Sequence, residues 1–441
     1  MYDAFVPVEE VLTRIESVHC AHWDQQRIMV AFSDARVAKL CPADDDRLHW
    51  ERKFVARVLN WLIDQNVTPC VTRHYGCVEC SPDSAFGRVF WRKANASLNQ
   101  LRQAETGSHT PFTSALSCLS PSQKVRMMAD SSAQSVLSPL ATSALATPRK
   151  KTSRPVRRDI GTDEPLSSKN NPVRLVGFVV ERAPGVSLHR WAQQDHALHQ
   201  WICVLFQLLY TIDAMRALGV RHNDMHWDNV FVDPRGWSES IFFVLPTTGD
   251  SNARFTILQG RPAVRIIDFD KASVVHAPLN GASLHQSLPH EWYDTLANNP
   301  ILNNSLCTSY GMCNNEPNSK YDAHTVLCYL MRGIEQYQYR IPPSLRDWLN
   351  AQAMTSGQRL YSANFEGGGG FLCRLGKPFC STGRSYLPSD DEQQPTLVLL
   401  TESDLFAPLA ADLSAHTASA GTNKVFVHPE CNLQIKLVDR R

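Results

Sequence analysis

Near the N-terminus two short runs, "RIMVAF" and "RVAKLC", carry the alternation of β-strands and are joined by "SDA", which predicts a hairpin. In the segment that follows, "DDDRLHWERKFVARVLNWLIDQN", residues Trp50, Phe54, Val58 and Leu62 recur at helical spacing behind an Asp cluster suited to capping. A small sheet with one helix is expected there. Further along, "VRLVGFVVE" is a continuous apolar strand ending at Glu181, and "RAPGVSL" reads as a turn. "LHQWICVLFQLLYTIDAMRALG" places Trp201, Val204, Leu205, Leu208, Leu209, Ile212 and Met215 on one face of a core helix, with Gly219 as its stop. Then come the strand "NVFV", a hairpin-like pair "SIFFVLP" and "RFTIL", and the strand-bearing "AVRIIDFDKASV". The remainder to Arg441 reads as helical and loop-rich, with a helix over "DAHTVLCYLMRGIEQY" and a polyglycine run at 367–370.

Between about 104 and 172 this patterning stops. The composition turns to Ser, Thr, Ala and Pro with no sustained apolar period, too little to offset chain entropy, so a disordered insertion is expected. Its "PRKKTSRPVRR" run fits a solvated basic linker, with a nuclear-import signal or a dock for an acidic partner as the alternative.

At 441 residues, 43% hydrophobic and 20% charged, the chain can bury two or three core-bearing units. Lys plus Arg number 44 against 43 Asp plus Glu, so there is no overall bias toward nucleic acid or membrane. The acidic start "MYDAFVPVEEVLTRIE" lacks a secretory pattern and no apolar run reaches the length of a membrane span, so an intracellular, soluble protein is expected. Thirteen scattered cysteines, an odd count, argue for reduced thiols rather than a disulfide framework. Cys77 and Cys80 form one C-x-x-C; Cys307, Cys313, Cys373 and Cys380 form two looser pairs, read as free buried thiols over a structural zinc site.

The densest chemistry lies in "GVRHNDMHWDNVFV", where two aspartates, an asparagine and two histidines run into a β-branched strand. Two strands emerging side by side would bring Asn229 and Asp268 to one end of a small sheet. An amide oxygen beside a carboxylate is a hard-oxygen site suited to Mg²⁺. Asp224 lies just upstream, where a carboxylate can orient a hydroxyl nucleophile and accept its proton late in transfer. Together these residues are phosphoryl-transfer equipment.

"HNDMHWDN" resembles the protein-kinase catalytic loop H-R-D-L-x-x-x-N, with His222, Asp224 and Asn229 in register, and "DFD" at 268–270 resembles D-F-G. "VAK" resembles the third-strand V-A-I-K, so the likeness implies that Lys39 meets the α/β-phosphates of ATP and that Glu51 is its ion-pair partner. With "NWLIDQNVTPCV", "IIDFDKA" and "NNPILNNSLCTSYGMCNNEPNSKYDAHTVL", most of the chain is similar to the divergent serine/threonine protein kinases encoded by large nucleocytoplasmic DNA viruses. The resemblance implies an α+β, bilobal protein-kinase-like fold. Residues 1–103 begin a small β-rich N-lobe that carries the 104–172 insertion, 173–185 supply its last strand and the hinge, and 186–441 form a larger, mainly helical C-lobe. It further implies ATP and Mg²⁺ as cofactors, metal ligation by Asn229 and Asp268, adenine contact through backbone near Glu181, and a protein Ser or Thr acceptor. Asp322 of "KYD" would bind the catalytic-loop backbone, and His222 would hold backbone rather than move protons. No specific nucleic-acid or membrane partner is implied, and the compartment would be host cytoplasm or nucleus.

Several positions depart from that pattern. No glycine occurs in "IESVHCAHWDQQRIMVAF" ahead of Lys39, Asp270 replaces the D-F-G glycine, no A-P-E is present, and His226 stands where serine/threonine kinases usually carry lysine. The Lys39–Glu51 separation is also short for the family. Two alternatives therefore stay open: a small-molecule phosphotransferase of aminoglycoside- or choline-kinase type, and a pseudokinase scaffold.

Overall fold

The alternating runs "RIMVAF" and "RVAKLC" form neighbouring antiparallel strands in the computed structural model, which describes residues 6–7, 18–24, 27–32, 35–43, 46–81, 83, 175–247, 252–274, 287–296, 299, 321–352, 354–355, 358–359, 396–410 and 424–431. The chain divides into two units, Met1–Cys80 with Leu175–Arg441, and Ser81–Arg174. Apart from residues 81 and 83, all described structure belongs to the first. The insertion expected over 104–172, the polyglycine run at 367–370 and Cys307, Cys313, Cys373 and Cys380 lie outside the described residues.

The first unit is mixed α+β. Among the described residues its largest sheet has six strands, β1 (Val6–Pro7), β2 (Val18–Asp24), β3 (Arg27–Phe32), β4 (Arg36–Pro42), β5 (His74–Cys80) and β6 (Leu175–Glu181), in the order β1-β5-β6-β4-β3-β2. All pairings are antiparallel except that of β1 with β5. An inner position explains the burial of β4 on both faces: Ala38, Leu40 and Cys41 are inaccessible, and Lys39 is 8% exposed. Gly177 of β6 is paired with Leu40, and a Cβ there would stand 1.9 Å from the Lys39 carbonyl oxygen. Glycine is what allows β6 to lie against β4.

Helical structure follows β4: α1 (Asp46–Phe54), a π-helical segment (Val55–Leu59) and α2 (Asn60–Asp64). Trp50, Phe54, Val58 and Leu62 are all buried, as their spacing predicts. A strict four-residue repeat outruns the 3.6-residue turn of an α-helix, so these side chains would drift around a regular helix; the wider π turn counters that drift.

After β6 come β7 (Val186–Ser187), α3 (Leu188–Ala192) and the 20-residue α4 (Leu198–Ala217). The one-faced burial expected of α4 is too modest, because 16 of its residues are buried, polar ones included. Gln207 shows how polarity is accommodated: its amide nitrogen donates to the Cys203 and Pro262 carbonyls, and its oxygen accepts from Trp237 Nε1 at 2.8 Å and the Val264 amide at 3.3 Å. Gly219, at φ +75°, ends the helix as predicted. Next are β8 (Val220–Arg221), β9 (Val230–Asp233), the hairpin β10 (Ile241–Pro246) with β11 (Asn252–Ile257), β12 (Ala263–Ile266) and β13 (Ser273–Val274). Helices α5 (His290–Leu296), α6 (Tyr321–Gln336) and α7 (Pro343–Gln352), the two-residue strands β14 (Met354–Thr355) and β15 (Gln358–Arg359), and α8 (Thr396–Glu402) follow.

The C-terminal region is not only helices and loops. β16 (Lys424–Val427) pairs in parallel with β10. Its end is anchored by His428, whose Nε2 lies 3.1 Å from Asp213 of α4 while its Nδ1 accepts from the Glu430 amide. Burial alone would raise the Asp213 carboxyl, but Arg216 and His428 hold it well below the usual carboxylate range. One continuous core joins Phe54 and Leu62 to Phe178, Leu205, Phe206 and Phe426. Among the described residues, no helix is long and apolar enough to cross a membrane.

Candidate functional site

β9 and β12 are antiparallel neighbours with Val230 opposite Ile266, so the start of one and the end of the other lie together. The Ile267 amide donates to the Asn229 carbonyl at 2.9 Å, which seats Asp268 beside the polar loop, as the strand pattern predicted. A turn of 3-10 helix (Trp227–Asn229) delivers Asn229, whose side-chain nitrogen donates to the Asp224 carbonyl at 3.0 Å. With nitrogen committed inward, the amide oxygen is the atom left for a cation.

The polar loop is held from three sides. Asp322 of α6 accepts the His222 amide at 2.7 Å and the Asn223 amide at 2.9 Å, the backbone-binding role expected of it. His222 accepts at Nδ1 from the Asp224 amide and donates from Nε2 to the Ile267 carbonyl at 2.9 Å. Both ring nitrogens thus serve the backbone, also as expected. Asn223 takes a left-handed φ of +63°, which asparagine tolerates better than most residues, and its side chain donates to the Lys271 carbonyl and the Ser273 hydroxyl. Pairing of β8 with β13 closes the same frame.

Asp268 also has a left-handed φ, +65°, ahead of a 3-10 turn (Phe269–Lys271). Its carboxylate accepts from Lys39 Nζ at 2.8 Å. The same ammonium lies 2.8 and 2.6 Å from the two Glu51 oxygens. Strand β4, helix α1 and the turn after β12 therefore meet at one nitrogen. Phe269 reinforces the junction by packing against Phe54 and His222, at centroid distances of 5.5 and 4.6 Å, and Trp50 Nε1 donates to the Ala272 carbonyl. Burial pushes the Glu51 carboxyl up to about 7; Lys39 opposes this, and Asp268 and Asp270 add to it.

Of the residues singled out in the sequence, Lys39, Glu51 and Asp268 are in direct contact, and Asp224 and Asn229 join them through the adjoining loop. Glu181 turns elsewhere: its amide donates to the Arg73 carbonyl at 2.8 Å, and its side chain accepts the Arg73 amide and lies 3.6 Å from Arg265. Cys77 and Cys80 are buried, and Cys77 Sγ lies 3.9 Å from His74 Nε2. Among the described residues no group of three or more His, Cys, Asp or Glu side chains is arranged to hold a metal.

Three contributors escaped the sequence reading. Lys271 places its ammonium 2.5 Å from Asp224 Oδ2. Asn223 ties the two loops, and Asn299 donates to the Asp270 and Ala272 carbonyls. A lysine adjoining "DFD" was visible, but nothing in its spacing indicates which way it reaches. No protein-family model matches the chain, and no curated protein matches it significantly.

Proposed function

We propose that the chain is an ATP- and Mg²⁺-dependent phosphotransferase of bilobal, protein-kinase-like architecture that transfers the γ-phosphoryl group to a protein serine or threonine. The observation that carries this reading is the Lys39 side chain, 9% exposed and bonded at once to Glu51 and Asp268. A buried lysine between two carboxylates is costly to maintain for packing alone, and the arrangement suits a cation that neutralises phosphate charge while its helix partner fixes it.

In this reading Asn229 and Asp268 would hold Mg²⁺, their amide oxygen and carboxylate being the hard donors that ion takes, with substrate phosphates completing its shell. Bound there, the ion supplies charge neutralisation at the β/γ-phosphates. Lys39 meets the α/β-phosphates. Asp224 orients the acceptor hydroxyl and takes its proton as the new oxygen–phosphorus bond forms and the bond to the β-phosphate oxygen breaks, leaving the electron pair on ADP. Because the Glu181 and Arg182 amides are engaged by Arg73 and Ala35, a purine would meet the Glu181 carbonyl and the segment 183–185.

A scaffold that has lost transfer is the second reading, favoured by the β2–β3 hairpin. Asp24 of β2 pairs with Arg27 of β3, and the sequence from 18 to 32 holds none of the glycines that let backbone amides approach phosphate. Labelled ATP with a generic protein acceptor, or an aminoglycoside or choline acceptor, separates these readings. The protein kinase labels protein and the Asp224→Asn variant does not; labelling of the small molecule alone moves the assignment to that substrate class; labelling by the variant at the wild-type rate refutes the role of Asp224.

A further inference from the structure

Phosphoryl transfer puts negative charge on the equatorial oxygens close to the acceptor-orienting carboxylate, where a cation stabilises it, and neither histidine of the polar loop is placed to be that cation. His226, two residues beyond Asp224, has its Nε2 3.7 Å from Asp224 Oδ2. Its Nδ1 accepts from the Asp228 amide, so the ring proton sits on Nε2. Burial lowers its pKa, against Asp224 and Asp228, and favours the uncharged imidazole. His222 has both nitrogens committed to backbone, and Lys39 is shared between Glu51 and Asp268.

We infer that Lys271 is the missing cation: it positions Asp224 in the resting site and attends the transferred phosphoryl group during reaction. Its ammonium lies 2.5 Å from Asp224 Oδ2, and its side chain is 25% exposed, so it stands at the solvent-accessible edge rather than in the core. Its main chain is fixed to the polar loop as well, since the Lys271 carbonyl accepts from Asn223. The lysine is therefore tethered to that loop at both ends although it belongs to the turn after Asp268. An ammonium carries three donors on a flexible stem, so it can hold the carboxylate and a phosphoryl oxygen together. As the acceptor oxygen bonds to the γ-phosphorus and ADP departs with the electron pair, the acceptor proton passes to Asp224, while Lys271 balances charge on the equatorial oxygens. The position of this lysine offers a reason why histidine suffices at 226.

This inference rests on the phosphotransferase reading, so the experiment separates the two. Wild type, Lys271→Met and Lys271→Arg are compared in full-length form for kcat, KM for ATP, and stabilisation by Mg·ATP in thermal melts. Expected are a kcat about 10²–10³-fold lower in Lys271→Met, a KM changed by less than ~3-fold, an unchanged Mg·ATP shift, and partial recovery in Lys271→Arg. A Lys271→Met protein with wild-type kcat, while Asp224→Asn is inactive, overturns the role of Lys271 and leaves the broader reading standing. Loss of the Mg·ATP shift together with activity, unrescued by arginine, assigns the residue to folding or nucleotide binding and overturns it too. A wild-type protein that transfers phosphate to no acceptor removes both.

Discussion

Asp322→Asn removes one half of a buried clamp. In the native protein the two carboxylate oxygens accept the His222 and Asn223 amides at 2.7 and 2.9 Å, and Asp322 is 6% exposed, so water cannot readily replace either bond. A hydrogen bond to a charged acceptor contributes about 1.5–3 kcal/mol. Asparagine keeps one acceptor and turns an NH₂ donor toward the other amide, so about 2–3 kcal/mol should be lost. Alanine orphans both amides. The full sum of about 3–6 kcal/mol is an upper bound there, because neighbouring bonds do not add and the vacated space can admit solvent. Domains hold only about 5–15 kcal/mol in total, so asparagine should fold and alanine should be marginal. Urea titration followed by tryptophan fluorescence measures this, since Trp50, Trp191 and Trp201 are buried. The expected result is a lower midpoint with an unchanged slope for asparagine and a further drop for alanine. Midpoints for both variants within about 0.5 kcal/mol of wild type would refute the clamp.

Other outcomes follow from the same geometry. Glu51 has a folded-state pKa raised to about 7 from an ordinary 4.5, so the folded protein holds that proton more tightly. Its contribution is fully present below pH 4.5 and is lost as pH rises through 7; Glu51→Gln should flatten that part of the stability profile, measured by urea midpoints between pH 4.5 and 8. Gly177→Ala should destabilise by more than about 3 kcal/mol or prevent folding, because its Cβ would meet the Lys39 carbonyl at 1.9 Å and backbone must move. Recovery of soluble Gly177→Ala with a wild-type midpoint would contradict the β4–β6 packing.

Much of this architecture was legible because the signals were local. Alternation at "RIMVAF" and "RVAKLC", helical spacing from Trp50 to Leu62 and the glycine stop at 219 each express a period or a turn preference that the sequence carries directly. Chain order then anticipated that Lys39, Glu51 and Asp268 converge, and that Asp322 serves backbone. What stayed hidden depends on distant partners. The strand "KVFV" is four residues long and pairs in parallel with β10, far back in the chain, so no hairpin signal announces it. Gln207, Thr211 and Asp213 look like the polar face of an amphipathic helix, yet each is buried against a partner supplied by another segment: Trp237 for Gln207, Thr68 for Thr211, and His428 for Asp213. Lys271 reads as a charge flanking a strand until the polar loop is placed against it.

We propose that a metal-bound triphosphate binds against the Lys39–Asp268 pair, which is in direct contact at 2.8 Å. Calorimetric titration of purified protein with ATP, in the presence and absence of Mg²⁺, for wild type and Asp268→Ala, tests it most directly. Saturable binding that requires Mg²⁺ and disappears in Asp268→Ala is the predicted result. Wild-type protein that takes up no heat with Mg·ATP, or binds ATP equally well without the metal and without the Asp268 carboxylate, would contradict it.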